Sequence, residues 1–467
     1  MAGSSLFCKK AGHVKTSWLF YLFLFTIFWA PIPLGSNRPW AWGLLEILAF
    51  AITASALILY KESLFNTLKN NKYAIAAFAL FTCWVVLQQA PLPINIIKVM
   101  SPSAYTVHSA SPMAKPFATI SVDPAQTTIM LYKTLAYFGL FISTLLVCNT
   151  EKRIKTAMLI IITAGLFQAL YGSLEVLLGL NSSLLFHLPV KGIATGTFVY
   201  KNHYANYLML CLSIGIGYLV STLLTNQNRS KKAKLRHLLE TLLNGKAVVR
   251  IALAIMVIAL VMSRSRMGNT AFFAAMTAVG LLALVLVKKR SKGLTILIIS
   301  MFVIDVLIVS AWFGLDKVKD RLENTTLTQE TRDEVIRDSL TLMQDYTLTG
   351  SGLGSFYTIY PSYQSEDVKG FYDHAHNDYL QLTIEGGVLG AALIFSLPLL
   401  SIVTSIKAMR QRKNSTMQGL AFGCTMAVVG MAIHISVDFP LQAPANAMLF
   451  VIILALGMQS IKRLPQR

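Results

Sequence analysis

Apolar runs of about 20 residues recur from one end of this chain to the other, and each is long enough to cross roughly 30 Å of hydrocarbon. Of its 467 residues, 55% are hydrophobic and only 13% charged, where a soluble domain carries about a quarter charged. That balance excludes a soluble enzyme, a disordered protein and a disulfide scaffold. The chain reads as an all-α polytopic membrane protein. The runs predict about twelve helical spans, near residues 18–34, 40–60, 73–90, 129–148, 156–179, 204–224, 247–262, 269–287, 293–314, 379–405, 416–437 and 444–461.

The formal net charge is +20, from 41 Lys and Arg against 21 Asp and Glu. In a soluble protein this suggests nucleic acid, but the distribution argues otherwise. Every second connection is basic: Lys9, Lys10 and Lys15; Lys61, Lys69 and Lys72; Lys152, Arg153 and Lys155; the 226–250 stretch; Lys288, Lys289, Arg290 and Lys292; Lys407, Arg410, Arg412 and Lys413; Lys462, Arg463 and Arg467. These segments hold most of the basic residues and only three acids, Glu62, Glu151 and Glu240. The positive-inside rule places all of them, and both termini, in the cytoplasm. A missed or extra span inverts every later loop, and none is inverted. The basic excess is thus an orientation signal rather than a nucleic-acid surface, with Arg229, Lys231, Lys232, Lys234 and Arg236 also suited to anionic headgroups. The first run lacks a small-x-small cleavage site, reading Ala30-Pro31-Ile32-Pro33, and is an uncleaved signal anchor. Cys83, Cys148, Cys211 and Cys424 fall inside spans and Cys8 is cytoplasmic, so no outward disulfide framework or Cys-based zinc site is expected.

Three outward segments are longer than helix packing requires. Residues 91–128 hold six prolines and predict an irregular loop with short interfacial helices; residues 180–203 form a second loop. The third, 315–378 between the ninth and tenth spans, carries 12 acids and 6 bases. It contains a helical pattern through Val335, Ile336, Leu340 and Met343, a flexible turn at Gly350-Ser-Gly-Leu-Gly354, and an aromatic stretch from Phe356 to Tyr372. The chain thus divides into residues 1–150 with four spans, 151–314 with five spans and outward cationic loops, the 315–378 loop, and 379–467 with the last three spans.

Candidate chemistry collects in the outward loops. In Asp373-His374-Ala375-His376-Asn377-Asp378, an imidazole can take a proton from an attacking hydroxyl and a carboxylate can orient it. The same run also suits a metal, though no third ligand completes a known spacing, or a polar cap for the helix beginning at Tyr379. Ser263-Arg264-Ser265-Arg266 places two arginines outward, against the charge bias; guanidinium forks suit phosphate oxygens, and headgroup snorkelling is the plainer alternative. Lys191 and Lys201 flank Thr195-Gly-Thr-Phe-Val-Tyr-Lys-Asn202-His203 on the same side, so these loops together supply enough cations to hold a pyrophosphate without a metal. Glu385, among glycines 386, 387 and 390, and Asp438 in Asp438-Phe-Pro440 are each placed to pair with the outward arginines. Those glycines suit close helix packing. Asp305 and Glu175 lie within spans with no partner assigned, and Glu46 is shallow beside Trp40 and Trp42.

The pattern His376-Asn377-x-x-Leu380-x4-Glu385-x-Gly387-x-x-Gly390 resembles the signature of the O-antigen ligase/polymerase superfamily, bacterial inner-membrane glycosyltransferases of GT-C-like architecture. Four further blocks are similar and in order: Thr195-Gly-Thr-Phe-x-x-x-Asn202-His203-x-Ala205, Ser263-x-Ser265-Arg266, Gly350-x-Gly352-x-Gly354 and Asp438-Phe-x-Leu-x-x-Pro444. The similarity spans roughly residues 150–460. It implies metal-independent inverting transfer, with no cofactor, on the periplasmic face of the inner membrane. The implied donor is an undecaprenyl-pyrophosphate-linked glycan. His376 would act on the acceptor hydroxyl as base or positioner, and Arg266 would bind the pyrophosphate. Arg264, Lys191, Lys201, Asn202, His374, Asn377, Glu385 and Asp438 are the further substrate-binding candidates. Where many relatives carry an arginine in the second block, this chain has Lys201, a point charge rather than a fork. His374 is a second candidate base. Ligation to lipid A–core oligosaccharide is the first expectation, repeat-unit polymerisation the second and transfer to protein hydroxyls the third. A transporter or flippase is the rival from another class, although transporters usually show similar halves around a central site.

Overall fold

The structure is a computed structural model and describes residues 17–110, 116–225, 245–287, 295–296, 299–300, 332–368 and 370–465. Its elements are α1 (Ser17–Trp29), α2 (Pro39–Leu59), α3 (Lys61–Asn70), α4 (Lys72–Gln89), β1 (Leu92–Pro93), α5 (Ile94–Met100), α6 (Pro102–Ser109), β2 (Phe117–Ala118), α7 (Pro124–Val147), α8 (Glu151–Leu177), α9 (Lys201–Thr225), α10 (Gly245–Met262), α11 (Arg266–Leu286), α12 (Arg332–Asp345), α13 (Phe356–Ile359), α14 (Asp378–Gln411), α15 (Ser415–His434) and α16 (Pro444–Gln459).

Helices start where the sequence supplies an acceptor or a proline. The side chains of Asp123, Thr150, Ser265, Asn377 and Asn414 each accept the backbone N–H three residues on. Proline opens α2, α6, α7 and α16, where its missing N–H costs nothing. Among the described residues, eight helices are long and apolar enough to cross a membrane, and α1, α10 and α16 are shorter apolar helices. These fall where the sequence places eleven of its spans. The remaining expected span, 293–314, lies outside the described residues except for 295–296 and 299–300; so do Asp305 and most of the basic 226–250 stretch. The first helix ends earlier than expected, because Pro31 and Pro33 lead the chain into a turn at Leu34–Ser36. Conversely, α14 extends past the expected 379–405, interrupted by a non-helical Gly387 (φ +67°) and carrying Pro398.

Helices α9 and α15 form the centre of the bundle and are buried along most of their length. They approach backbone to backbone through small residues: a Cβ on Gly217 would lie 2.4 Å from the Gly419 carbonyl oxygen, and one on Gly419 would lie 2.3 Å from that of Gly217. Such contacts replace the hydrophobic driving force that lipid does not supply between helices. At one end of the bundle, the start of α8 meets that of α15: the Glu151 carboxylate accepts from Thr416 at 2.6 Å and Asn414 at 2.8 Å. At the opposite end stand the starts of α9, α11, α14 and α16 and the ends of α10 and α15.

That second end carries a cap. Residues 91–110 and 116–122 form irregular chain with short helices, as expected, and β1 pairs antiparallel with β2. They pack on residues 332–368 and 370–375 in a separate apolar cluster of Ile97, Ala104, Ile120, Val335, Leu342 and Phe356. Two loops more than two hundred residues apart in sequence thus form one body, tied by Ser103 Oγ to the Asp345 carbonyl (3.0 Å) and Val122 N–H to the Ser351 carbonyl (2.9 Å). Within it, the buried Asp338 accepts from Arg337 Nε (2.9 Å), Ser365 Oγ (2.8 Å) and Ser365 N–H (2.9 Å). Burial by itself raises the Asp338 pKa; the Arg337 and Ser365 hydrogen bonds outweigh it and hold the carboxyl below its usual range.

Two outcomes follow. Gly217→Ala lowers stability by about 1–3 kcal/mol through overpacking, whereas Gly43→Ala, whose Cβ meets nothing, is neutral; thermal unfolding in one detergent compares them. Because the Asp338 pKa is depressed on folding, its contribution is present above the ordinary aspartate range and lost as pH falls through the folded value. Protection factors for hydrogen exchange of residues 332–368, corrected for the intrinsic pH dependence of amide exchange, should therefore fall on acidification, and Asp338→Asn should remove that fall.

Candidate functional site

The capped end brings three sequence-distant segments together around one amide. Asn202, near the start of α9, donates through Nδ2 to Asp438 Oδ2 and to the Tyr200 hydroxyl at 2.8 Å. Its Oδ1 accepts from the Ser265 hydroxyl at 2.7 Å. Ser265 in turn caps α11 by accepting the Gly268 N–H at 3.2 Å, and Asp438 Oδ1 accepts the Phe439 N–H at 2.9 Å. All three side chains are buried. Arg264 and Arg266 flank Ser265 and are exposed, with Arg264 in the left-handed region at φ +49°. Lys201 stands beside Asn202 and is half-buried. Lys191 is exposed in the 180–200 loop and has no hydrogen bond or ion pair to the other site residues among those described.

The histidine segment is fixed to the same turn. Asn377 caps α14 by accepting the Leu380 N–H at 3.1 Å, while its Nδ2 donates to the Ser436 carbonyl at 2.9 Å. Asp378 accepts the Leu441 N–H at 2.9 Å and Gln442 Nε2 at 3.0 Å. The Phe439 ring fills the centre. It stacks on His374 at 4.5 Å and on Tyr200 at 5.5 Å, and meets the edges of His376 at 4.8 Å and His203 at 5.0 Å. His376 is held at φ +52°, a conformation that costs a non-glycine residue about 1–3 kcal/mol and persists only where the surroundings over-determine it.

Glu385 has a different setting. Its carboxylate accepts the Gly354 N–H at 2.9 Å, the Phe356 N–H at 3.3 Å and Gln381 Nε2 at 3.0 Å. The pairing with an outward arginine anticipated for it is absent, because the backbone of the glycine turn reaches it first. That turn, expected to be flexible, is locked onto α14. Ser351 N–H donates to the Ile384 carbonyl at 2.9 Å, Gly352 N–H to that of Glu385 at 3.0 Å, and Gln88 Nε2 to those of Thr349 and Glu385. A Cβ on Gly350 would sit 2.2 Å from the Glu385 carbonyl oxygen, and one on Gly387 2.2 Å from that of Leu348. Both glycines serve close approach of the turn to α14, whereas the sequence suggested helix packing for Gly387 and flexibility for Gly350. Glu175, without an assigned partner in the sequence, accepts the Leu184 N–H at 3.0 Å and so pins the 180–200 loop.

Directly beneath, an apolar groove of about 630 Å³ runs between α4, α7, α14, α15 and α16. Tyr379, Leu441 and Gln442 line it near the polar residues, and Phe81, Phe395 and Leu454 lie along it. Sequence reasoning missed this groove and also missed Phe439, Tyr200 and Gln381 as parts of the site. Gln381 did carry a signal, lying one helical turn before Glu385 and so on the same face.

This arrangement sets two imidazoles on the turn after α15, which Asn202 ties to the segment carrying the two exposed arginines, near an apolar groove. Residues 251–395 match the sequence model of a family described as O-antigen ligase. The match is narrower than the resemblance over residues 150–460, holding Arg264, Arg266, His374, His376, Asn377 and Glu385 but not Lys191, Lys201, Asn202 or Asp438. No curated protein matches the chain. Residues 251–395, which carry both arginines and the histidine segment, are thus similar to the O-antigen ligase family over about a third of the chain.

Proposed function

We propose that this protein is a glycosyltransferase that moves a glycan from undecaprenyl pyrophosphate to an acceptor hydroxyl at the outward, periplasmic end of its bundle, in the bacterial inner membrane. The observation that carries this reading is the convergence of the His376 segment and the Arg266 segment on the Asn202–Asp438 linkage. The apolar groove beneath suits a lipid-linked substrate. The basic connections at the other end of the bundle favour a cytoplasmic location there, which puts the site outside.

In this mechanism His376 takes the proton of the acceptor hydroxyl as that oxygen attacks the anomeric carbon. The bond from that carbon to the pyrophosphate oxygen breaks on the opposite face, so configuration inverts. Arg266, with Arg264 and Lys201 beside it, offsets the charge that develops on the pyrophosphate. Pyrophosphate leaves readily as an anion and needs no proton from a second carboxyl. Cationic side chains supply the charge a metal would otherwise provide. Asn377, Asp378, Asp438 and Asn202 hold these groups in register, and Glu385 holds the glycine turn behind them. Lipid A–core oligosaccharide is the acceptor we favour; a growing repeat-unit chain or a protein hydroxyl would use the same chemistry.

His376→Ala should lower transfer by about 10²–10⁴-fold with normal expression and membrane insertion, and full activity in that variant would remove the catalytic assignment. Arg266→Lys keeps the charge but loses the fork, and should cost about 10²-fold or more; wild-type use of the donor would reduce Arg266 to a headgroup contact. A transporter would keep its activity without His376.

A further inference from the structure

Two histidines stand in the segment, and either is chemically able to serve as the base. Gln381 distinguishes them. Its side chain is buried, and its amide orientation is fixed from both ends. Oε1 lies 3.2 Å from the Ala375 N–H, which can only donate, so that atom is the acceptor. Nε2 lies 3.0 Å from Glu385 Oε1, which occupies one of its two hydrogens. The second hydrogen faces His374 Nδ1 at 3.2 Å; Oε1 lies 3.3 Å from the same nitrogen but already accepts the Ala375 N–H. If Nδ1 carried a proton instead, that buried amide hydrogen would have no acceptor, at a cost of about 1–3 kcal/mol.

We infer that Gln381 is a positioning residue that commits the Nδ1 lone pair of His374 and anchors Ala375, leaving His376 to act on the acceptor. This rests on the glycosyltransfer reading only for the last clause. His374 is then the tautomer with its proton on Nε2, which points towards Asp373 Oδ2 at 4.0 Å. The ring lies flat on Phe439, so it is a neutral wall of the site rather than a proton shuttle. Burial lowers its proton affinity and the Lys133 charge adds to this, while Asp373 opposes it; the net shift is downward. His376 follows Ala375 directly, so the Ala375 anchor on one side and the Asn377 cap on the other bracket its left-handed backbone.

The test is histidine-selective nitrogen-15 magnetic resonance on the full-length protein in lipid, with the His374 ring assigned by the signal lost in His374→Asn. The expected spectrum has His374 protonated on Nε2 alone and constant from about pH 8 down to about pH 6, where a free imidazole titrates. Gln381→Glu keeps an acceptor for Ala375 but removes the donor, and should move the His374 proton to Nδ1. A wild-type ring protonated on Nδ1, or one titrating as free imidazole, would overturn the inference. This spectrum requires no turnover, so its failure is separable from failure of the proposed function. With an undecaprenyl-pyrophosphate-linked glycan as donor, Gln381→Glu and Gln381→Leu should each reduce kcat by about 10²-fold through misplacement of the base, with KM little changed. An unchanged kcat in both would show that Gln381 positions nothing.

Discussion

The Asn202 amide reaches Ser265 on one side and Asp438 on the other, and the capped end of the molecule is organised around that bridge. A buried polar side chain in a lipid-embedded bundle is costly unless its hydrogen bonds are made. Asn202 makes bonds to a hydroxyl, a phenol and a carboxylate, and those to charged groups are worth about 1.5–3 kcal/mol each. Each bond fixes a different stretch of chain: the start of α9, the cap of α11 and the turn after α15. Phe439 follows Asp438 directly and places one aromatic ring against His374, His376, His203 and Tyr200. The arginines and histidines therefore owe their common location to a residue that need not touch a reacting atom.

A second constraint works at right angles to the first. Glu385 lies where α14 is interrupted, and its carboxylate gathers the N–H groups of the glycine turn. Trp84 Nε1 donates to the carbonyl of Gly386 at 2.8 Å, so α4 also holds the break. The cap is thereby fixed to the membrane helix that carries the histidine segment at its start. Gln381, midway between, joins the two: one end of its amide serves the histidine segment and the other serves Glu385. The left-handed backbone of His376 is maintained from both sides by these contacts.

Much of this was legible in the sequence, and what was not has a common cause. Apolar length and the alternation of basic connections located eleven helices, since both depend only on the local chain and on lipid. Caps such as Asn377 were readable because their partners lie three residues away. The residue types of the site, including His376, Arg266, Asn202 and Asp438, stood out because polar groups are scarce in such a chain. Their pairings did not, because Asn202 and Asp438 are 236 residues apart and nothing in their spacing relates them. The same holds for the packing of Ile97 and Ile120 on Val335 and Phe356 and for the groove, whose walls come from five helices. The glycine turn was misread as flexible because glycine permits both freedom and close approach. Only the neighbouring Glu385 decides between them.

The central claim is that the bond between glycan and lipid pyrophosphate is broken at this site rather than carried across the membrane intact. The most direct measurement reconstitutes the purified full chain in lipid with an undecaprenyl-pyrophosphate-linked glycan and a lipid A–core acceptor, and follows both products. The account predicts free undecaprenyl pyrophosphate released in equal amount to glycan appearing on the acceptor. Glycan–lipid that reaches the opposite leaflet intact, with no pyrophosphate released, would contradict it and make the protein a transporter.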